Sequence, residues 1–246
     1  MQLIIDKGNT LTKVFIFKDD KIIARAKFDK LDVFLLDKIF KEYPITSSIY
    51  SHVGNSDDEN ISYLNTHSAF FPFSYLTSIP INNKYASPET LGLDRLAAAC
   101  AAQAIFPHQH VLSIDLGTCI TYDFVNEQSE YLGGGISPGL QLRFKALNTF
   151  TAQLPLIEPT SRLPKLIGDT TENSILSGVM NGYIQEIVGI IEQYQQKYTG
   201  LQVLMCGGDL SFFDTRLKNS IFARPDLVAE GLNSILKYNV QFKKHT

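Results

Sequence analysis

The sequence predicts an α/β fold made of two similar halves, and three observations carry that expectation. The chain opens on an apolar run, "LII", that exits into "DKGNT" (residues 6–10), and a looser echo, "DLGTCIT" (115–121), follows a second apolar run, "VLSI". Sliding the sequence by 109 positions superposes Asp6 on Asp115, Gly8 on Gly117, Asn9 on Thr118 and Thr12 on Thr121. Behind each loop, short strand-like apolar runs mix with helical three- and four-residue spacing. Together these point to a duplication of about 110 residues per half. The expected division is a first unit over 1–109 and a second over 110–246, with no Gly/Pro/Ser-rich linker between them.

Taken in order, "LIID", "KVFIF" and "IIARAKF" read as an antiparallel meander with turns at "KGNT" and "KDDK". "KLDVFLLDKIFKEY" carries a helical pattern, "SSIYSHV" a strand, "DENISYLNT" a short helix and "FFPFSYL" an extended piece. "DRLAAACAAQAIF" is strongly helical and closes the first half. The second half repeats the opening with "HVLSIDLGT" and "CITYDFV", then adds the extended "EYLGGGISPG". Helices are expected from Leu140 to Phe150, from Glu172 to about Tyr198 and over "DLVAEGLNSILKYN", with a buried strand in "QVLMCGGDL".

Composition narrows the function classes. Hydrophobic residues make up 44% and charged residues 19%, the balance of a globular protein with a sizeable core. A net charge of -3 with no basic block argues against a nucleic-acid surface. No stretch reaches the roughly 20 consecutive apolar residues of a membrane span, and no export signal leads the chain. Cys100, Cys119 and Cys206 form neither a CxxC pair nor a disulfide framework, so they read as packing residues in a reducing, cytoplasmic setting. The five histidines fall in no metal-ligand spacing, and His108 and His110 are expected at the surface beside Pro107.

The chemistry-bearing motifs each admit a plain structural reading. In "DKGNTLTK", Gly8, Asn9 and Thr10 offer backbone amides to an anion, Lys13 adds a positive charge, and Asp6 can hold Mg²⁺ through water. An ordinary hairpin turn favours the same residue types. "DLGTCIT" reads the same way. No G-x-x-x-x-G-K-[ST] sequence occurs, and Pro138 occupies the last glycine position of G-x-G-x-x-G in "GGGISPG". In "YASPETLGLDRLAAA", Pro88 resembles a helix start. Asp94 and Arg95 are adjacent there, either as a carboxylate base beside an orienting cation or as a helix-terminal acid beside a solvated arginine. "GDTTENSILSG" offers Thr170 or Thr171 as an N-cap.

In this order the motifs resemble the type III pantothenate kinases, members of the acetate and sugar kinase/Hsp70/actin superfamily. The residues that carry the resemblance are "DKGNTLTK", "YASPETLGLDR", "DLGTCITYD", "GGGISPG", "GDTTENSILSG" and "CGGD", which span residues 6 to 209. It implies a duplicated actin-like (ribonuclease H-like) two-lobe α/β fold with mixed sheets flanked by helices. It also implies ATP contacts from Asp6, Lys7, Gly8, Asn9, Thr10, Leu11, Thr12, Lys13 and Thr118, and a monovalent cation, potassium or ammonium, at Asp115. Tyr85, Gly92, Leu93, Asp94, Arg95 and Thr171 would line the pantothenate pocket, with Asp94 as catalytic base. The resemblance implies a homodimer with no nucleic-acid or membrane partner. "SHVGNSDDEN" matches the family's strand end more loosely, and Cys119 and Cys206 stand where the family often has alanine and threonine. Two rivals share the superfamily's loops: a sugar or short-acid kinase, and a non-catalytic nucleotide-binding regulator.

Overall fold

The structure is a computed structural model, and it describes residues 1–8, 11–52, 58–212 and 221–242. The chain forms two compact units. In the first, β1 (Gln2–Lys7), β2 (Thr12–Lys18) and β3 (Lys21–Phe28) form the expected antiparallel meander. α1 (Val33–Glu42) follows, its first turn capped by the Asp32 carboxylate, which accepts from Leu35 N. β4 (Ser47–His52) then pairs parallel with β1. α2 (Asp58–His67) leads to β5 (Ala69–Pro72), parallel to β4, so the strand order is β3-β2-β1-β4-β5. Period-two alternation buries Leu3, Ile5, Val14, Ile16 and Tyr50 against Leu36 of α1 and Leu64 of α2. A two-residue strand, β6 (Asn82–Asn83), a 3-10 turn (Pro88–Thr90) and α3 (Leu93–Ile105) complete this stretch.

The second unit repeats the plan. β7 (Val111–Leu116), β8 (Cys119–Val125) and β9 (Glu130–Pro138) are antiparallel neighbours. α4 (Leu140–Thr149), α5 (Thr171–Leu176), a π-helical turn (Ser177–Asn181) and α6 (Gly182–Lys197) follow. β10 (Gln202–Cys206) then lies parallel to β7, and β11 (Ile221–Ala223) parallel to β10. The order β9-β8-β7-β10-β11 is that of the first unit, strand for strand. The core joins Ile114, Leu116 and Tyr122 to Phe144 of α4 and Ile184, Ile187 and Ile191 of α6.

Two expectations change. The last helix, α7 (Leu227–Phe242), belongs with the first unit rather than the second, so the units are 1–105 with the chain from Asp226 onward, and 106–225. Its buried Ala229, Leu232, Ile235 and Leu236 pack on the alanine-rich α3, and Asp226 and Lys237 pair with Arg25 and Asp20. His110 is not a surface residue. Its side chain is 18% exposed, stacked on Phe124 and tilted against Tyr198, because β7 begins immediately after it. The run Thr171–Lys197 is, among the described residues, long and apolar enough to cross a membrane by length and composition. Half of its most apolar window is buried, and Ile175, Leu176, Met180 and Tyr183 belong to the core of the second unit.

Candidate active site

The first hairpin places Asp6 directly opposite Lys13 and Lys7 opposite Thr12, and Gly8 N donates to Leu11 O at 3.1 Å to close the turn. Asn9 and Thr10 lie outside the described residues. Burial raises the Asp6 carboxyl above the usual carboxylate range, the charge of Asp94 raises it further, and Lys13 opposes both. Asp6, Lys13 and Asp94 therefore share one electrostatic environment, although Asp94 is 81 and more residues away from the others in sequence.

Pro88 opens the 3-10 turn and not α3, which starts where Leu96 N donates to Gly92 O at 3.1 Å. Asp94, in the first helical turn, is exposed, and its Oδ1 accepts from Arg95 N at 2.8 Å. Arg95 is 7% exposed, so the solvated-arginine reading is wrong. Its guanidinium stands 5.8 Å from the Tyr85 ring centroid. Gly92 makes this arrangement possible, since a Cβ there would sit 2.6 Å from Asp94 Oδ1. Gly92→Ala should displace the carboxylate and, on the role proposed for it below, lower turnover on the order of tenfold, because misplacing a reacting group costs rate steeply. The check is steady-state turnover beside a melting temperature close to that of the parent protein.

In the second unit, Asp115 is the penultimate residue of β7 and half-buried, and Thr118 is exposed at the tip of the β7–β8 turn. Gly117 N donates to Cys119 O at 3.1 Å. Two other segments press on this turn. A Cβ at Gly139 would fall 2.2 Å from Gly117 O, and one at Gly207, whose φ is +97°, would fall 2.4 Å from Leu116 O. Only glycine allows both approaches, which explains the last glycine of "GGGISPG" and the first of "CGGD". Thr170, not Thr171, is the N-cap of α5, accepting from Asn173 N, and Thr171 is exposed beside it. Cys100 and Cys206 are buried and Cys119 is partly exposed, and among the described residues none forms a disulfide. Among the described residues no cluster of His, Cys, Asp and Glu could hold a metal ion by itself.

Sequence reasoning missed a polar network behind the second turn. Arg143 of α4 binds Glu186 of α6, which accepts from Tyr122 OH at 3.3 Å, and Asp209 accepts from Tyr183 OH at 3.3 Å. These partners are too distant in the chain for any spacing rule. One local signal was available: a cation in a helix's first turn opposes the helix dipole and calls for a partner.

One five-strand order used twice, each time opening on an aspartate–glycine hairpin, is the architecture of the actin-like fold. Solved structures agree on the fold. A Campylobacter jejuni protein assigned to the Baf family of transcriptional activators matches with a TM-score of 0.62 at 21% identity, covering 97% of this chain and 99% of that one. A protein assigned as an N-acetylglucosamine kinase from Porphyromonas gingivalis matches at 0.53 and 15%, covering 98% and 100%. The model of the type III pantothenate kinase family matches residues 2–193. Type III pantothenate kinases from Christiangramia forsetii and Bacteroides fragilis are 44% and 42% identical, each over 97% of this chain and 99% and 98% of their own. The chain belongs to the type III pantothenate kinase family.

Proposed function

We propose that this chain transfers the γ-phosphoryl group of ATP to the primary hydroxyl of pantothenate, giving 4′-phosphopantothenate for coenzyme A synthesis, with Asp94 as general base. The observation that carries the role of Asp94 is its geometry: an exposed carboxylate in the first turn of α3, oriented by a hydrogen bond from Arg95 N to one oxygen and followed in the chain by a buried arginine. A neutral alcohol is a poor nucleophile, and a carboxylate in hydrogen-bond reach takes its proton as the bond to phosphorus forms. Arg95 orients the substrate's carboxylate or amide, with Tyr85, Gly92, Leu93 and Thr171 as further pocket residues. Asp6, Lys7, Gly8, Asn9, Thr10, Leu11, Thr12, Lys13 and Thr118 contact ATP.

The residues fit the implied ions. Burial and Asp94 both penalise the ionised form of Asp6, with Lys13 opposing them, and Mg²⁺ held through water would relieve that strain. When bound, it offsets charge on the transferring phosphoryl group. Asp115, a hard oxygen donor at the end of β7, is the monovalent-cation ligand. The enzyme acts in the cytoplasm as a homodimer. Ile136, Phe150, Leu166 and Ile167, which are 64%, 85%, 82% and 83% exposed, are the apolar side chains a second copy would have available to cover.

Mass spectrometry of the product after incubation with ATP and either pantothenate or a hexose tests the substrate. Phosphorylated hexose with pantothenate untouched would leave the sugar-kinase rival standing, and no product from either would favour the regulator. Arg95→Lys should raise the pantothenate KM roughly tenfold or more, since a lysine lacks the planar fork for two charged hydrogen bonds. An unchanged KM would remove Arg95 from the pocket.

A further inference from the structure

We propose that Arg143, locked by Glu186, is a positioning residue for the β7–β8 turn, fixing the backbone that presents Asp115 and Thr118. The inference rests on the reading that this turn meets the cation and ATP. The turn is supported by the β9–α4 junction, where Gly139 N donates to Thr118 O at 3.1 Å and leaves no room for a side chain between them. Any shift of that junction is therefore a shift of the turn.

Gly139 is the N-cap of α4 and supplies no side-chain hydrogen bond of its own. The junction is held instead from one turn further along. Arg143 reaches back so that Nε donates to Pro138 O at 2.9 Å and Nη2 donates to Ser137 Oγ at 3.1 Å. Nη2 also meets the Glu186 carboxylate. The two residues that precede Gly139 are thus fixed by one guanidinium. Arginine's planar fork suits three acceptors in fixed directions, whereas a lysine presents a single point charge.

Glu186 completes the device. Burial alone would raise its carboxyl, but hydrogen bonds from Arg143, Ser137 and Tyr122, with the charge of Arg143, outweigh that and hold it below the usual range. The pair is partly desolvated, at 20% and 29% side-chain exposure, so solvent screens it less than a surface ion pair. A second tie backs the junction: Asp209 accepts from Leu140 N and from Tyr183 OH, and the Arg143 guanidinium stands 5.3 Å from the Tyr183 ring. The end of β9, the start of α4 and the 3-10 turn Gly208–Phe212 that carries Asp209 are thus joined at the junction that contacts Thr118.

The test compares Arg143→Ala, Arg143→Lys and Glu186→Gln with the unaltered full-length protein, at saturating pantothenate, titrating ATP and then potassium. The ATP KM and the potassium concentration for half-activation should rise roughly tenfold in Arg143→Ala, the size typical of losing an outer-shell partner of an ion site. Arg143→Lys should recover part of the loss, Glu186→Gln should move the same way by less, and the pantothenate KM should stay put. If Arg143→Ala does not fold, the other two variants carry the measurement. Unchanged ATP and potassium curves would overturn the proposal, as would both KM values and the melting temperature worsening together. ATP calorimetry on Asp115→Ala separates the underlying reading: if that variant binds ATP normally in potassium, the reading of the turn fails and the proposal with it. If Asp115→Ala weakens ATP binding and Arg143→Ala does not, only the proposal fails.

Discussion

Asp94→Asn should keep the fold and ATP binding while lowering turnover by about 10²–10⁴-fold, the range for a removed general base. The substitution is nearly isosteric. The amide oxygen of asparagine can still accept from Arg95 N, as Asp94 Oδ1 does at 2.8 Å, so the helix start survives. What is lost is the carboxylate proposed to take the substrate's proton. Because Asp94 is exposed, stability should change little, by about 0.3–1 kcal/mol for one charge at a helix N-terminus. A second readout follows from Asp6, whose carboxyl is raised by burial and then by the charge of Asp94. Removing that charge lowers the Asp6 pKa, so Asp6 stays ionised to lower pH and the acid limb of magnesium-dependent ATP binding moves down with it. An NMR titration of the Asp6 carboxyl checks the shift. Turnover at the parent rate would remove Asp94 from the chemistry, and collapse of ATP binding would show a wider disturbance.

Much of the fold was legible because its signals are local. Period-two apolar runs and Asp, Gly and Asn at turns mark β1–β3 and β7–β9, and the 109-residue offset anticipates the repeated strand order. The placement of α7 was not legible, because periodicity shows which face of a helix is apolar but not which neighbour covers it. The small side chains of α3, from Ala97 to Ala102, make that neighbour, and they read in sequence only as helix formers. The π-helical turn at Ser177–Asn181 is hidden too, since an added residue per turn leaves no compositional mark. In the candidate site, the contiguous motifs could be read because each lies within a few residues of chain. Arg95 was ambiguous because burial depends on residues far along the chain, and Arg143 and Glu186 were invisible because 43 positions separate them.

Asp115→Ala should abolish activation by potassium or ammonium and remove roughly 10–100-fold of the activity, the scale for losing support of a bound ion. The residue is the repeat partner of Asp6, but its surroundings differ. Asp6 faces Lys13 across its hairpin, whereas the residue paired with Asp115 across β8 is the neutral Thr121. The two hairpins therefore differ at this cross-strand position, a lysine facing the first aspartate and a threonine the second. Asp115 also lies against the turn, its Oδ1 3.5 Å from where a Cβ on Gly117 would stand, so an ion it holds is beside the backbone that leads to Thr118. Ion binding to the folded chain stabilises it by mass action, which gives a readout independent of catalysis. The parent protein should melt higher in potassium than in sodium at equal ionic strength, and Asp115→Ala should melt alike in both. Full activity of the parent in sodium alone, with no difference in melting, would sink the cation assignment while leaving the phosphoryl transfer untouched.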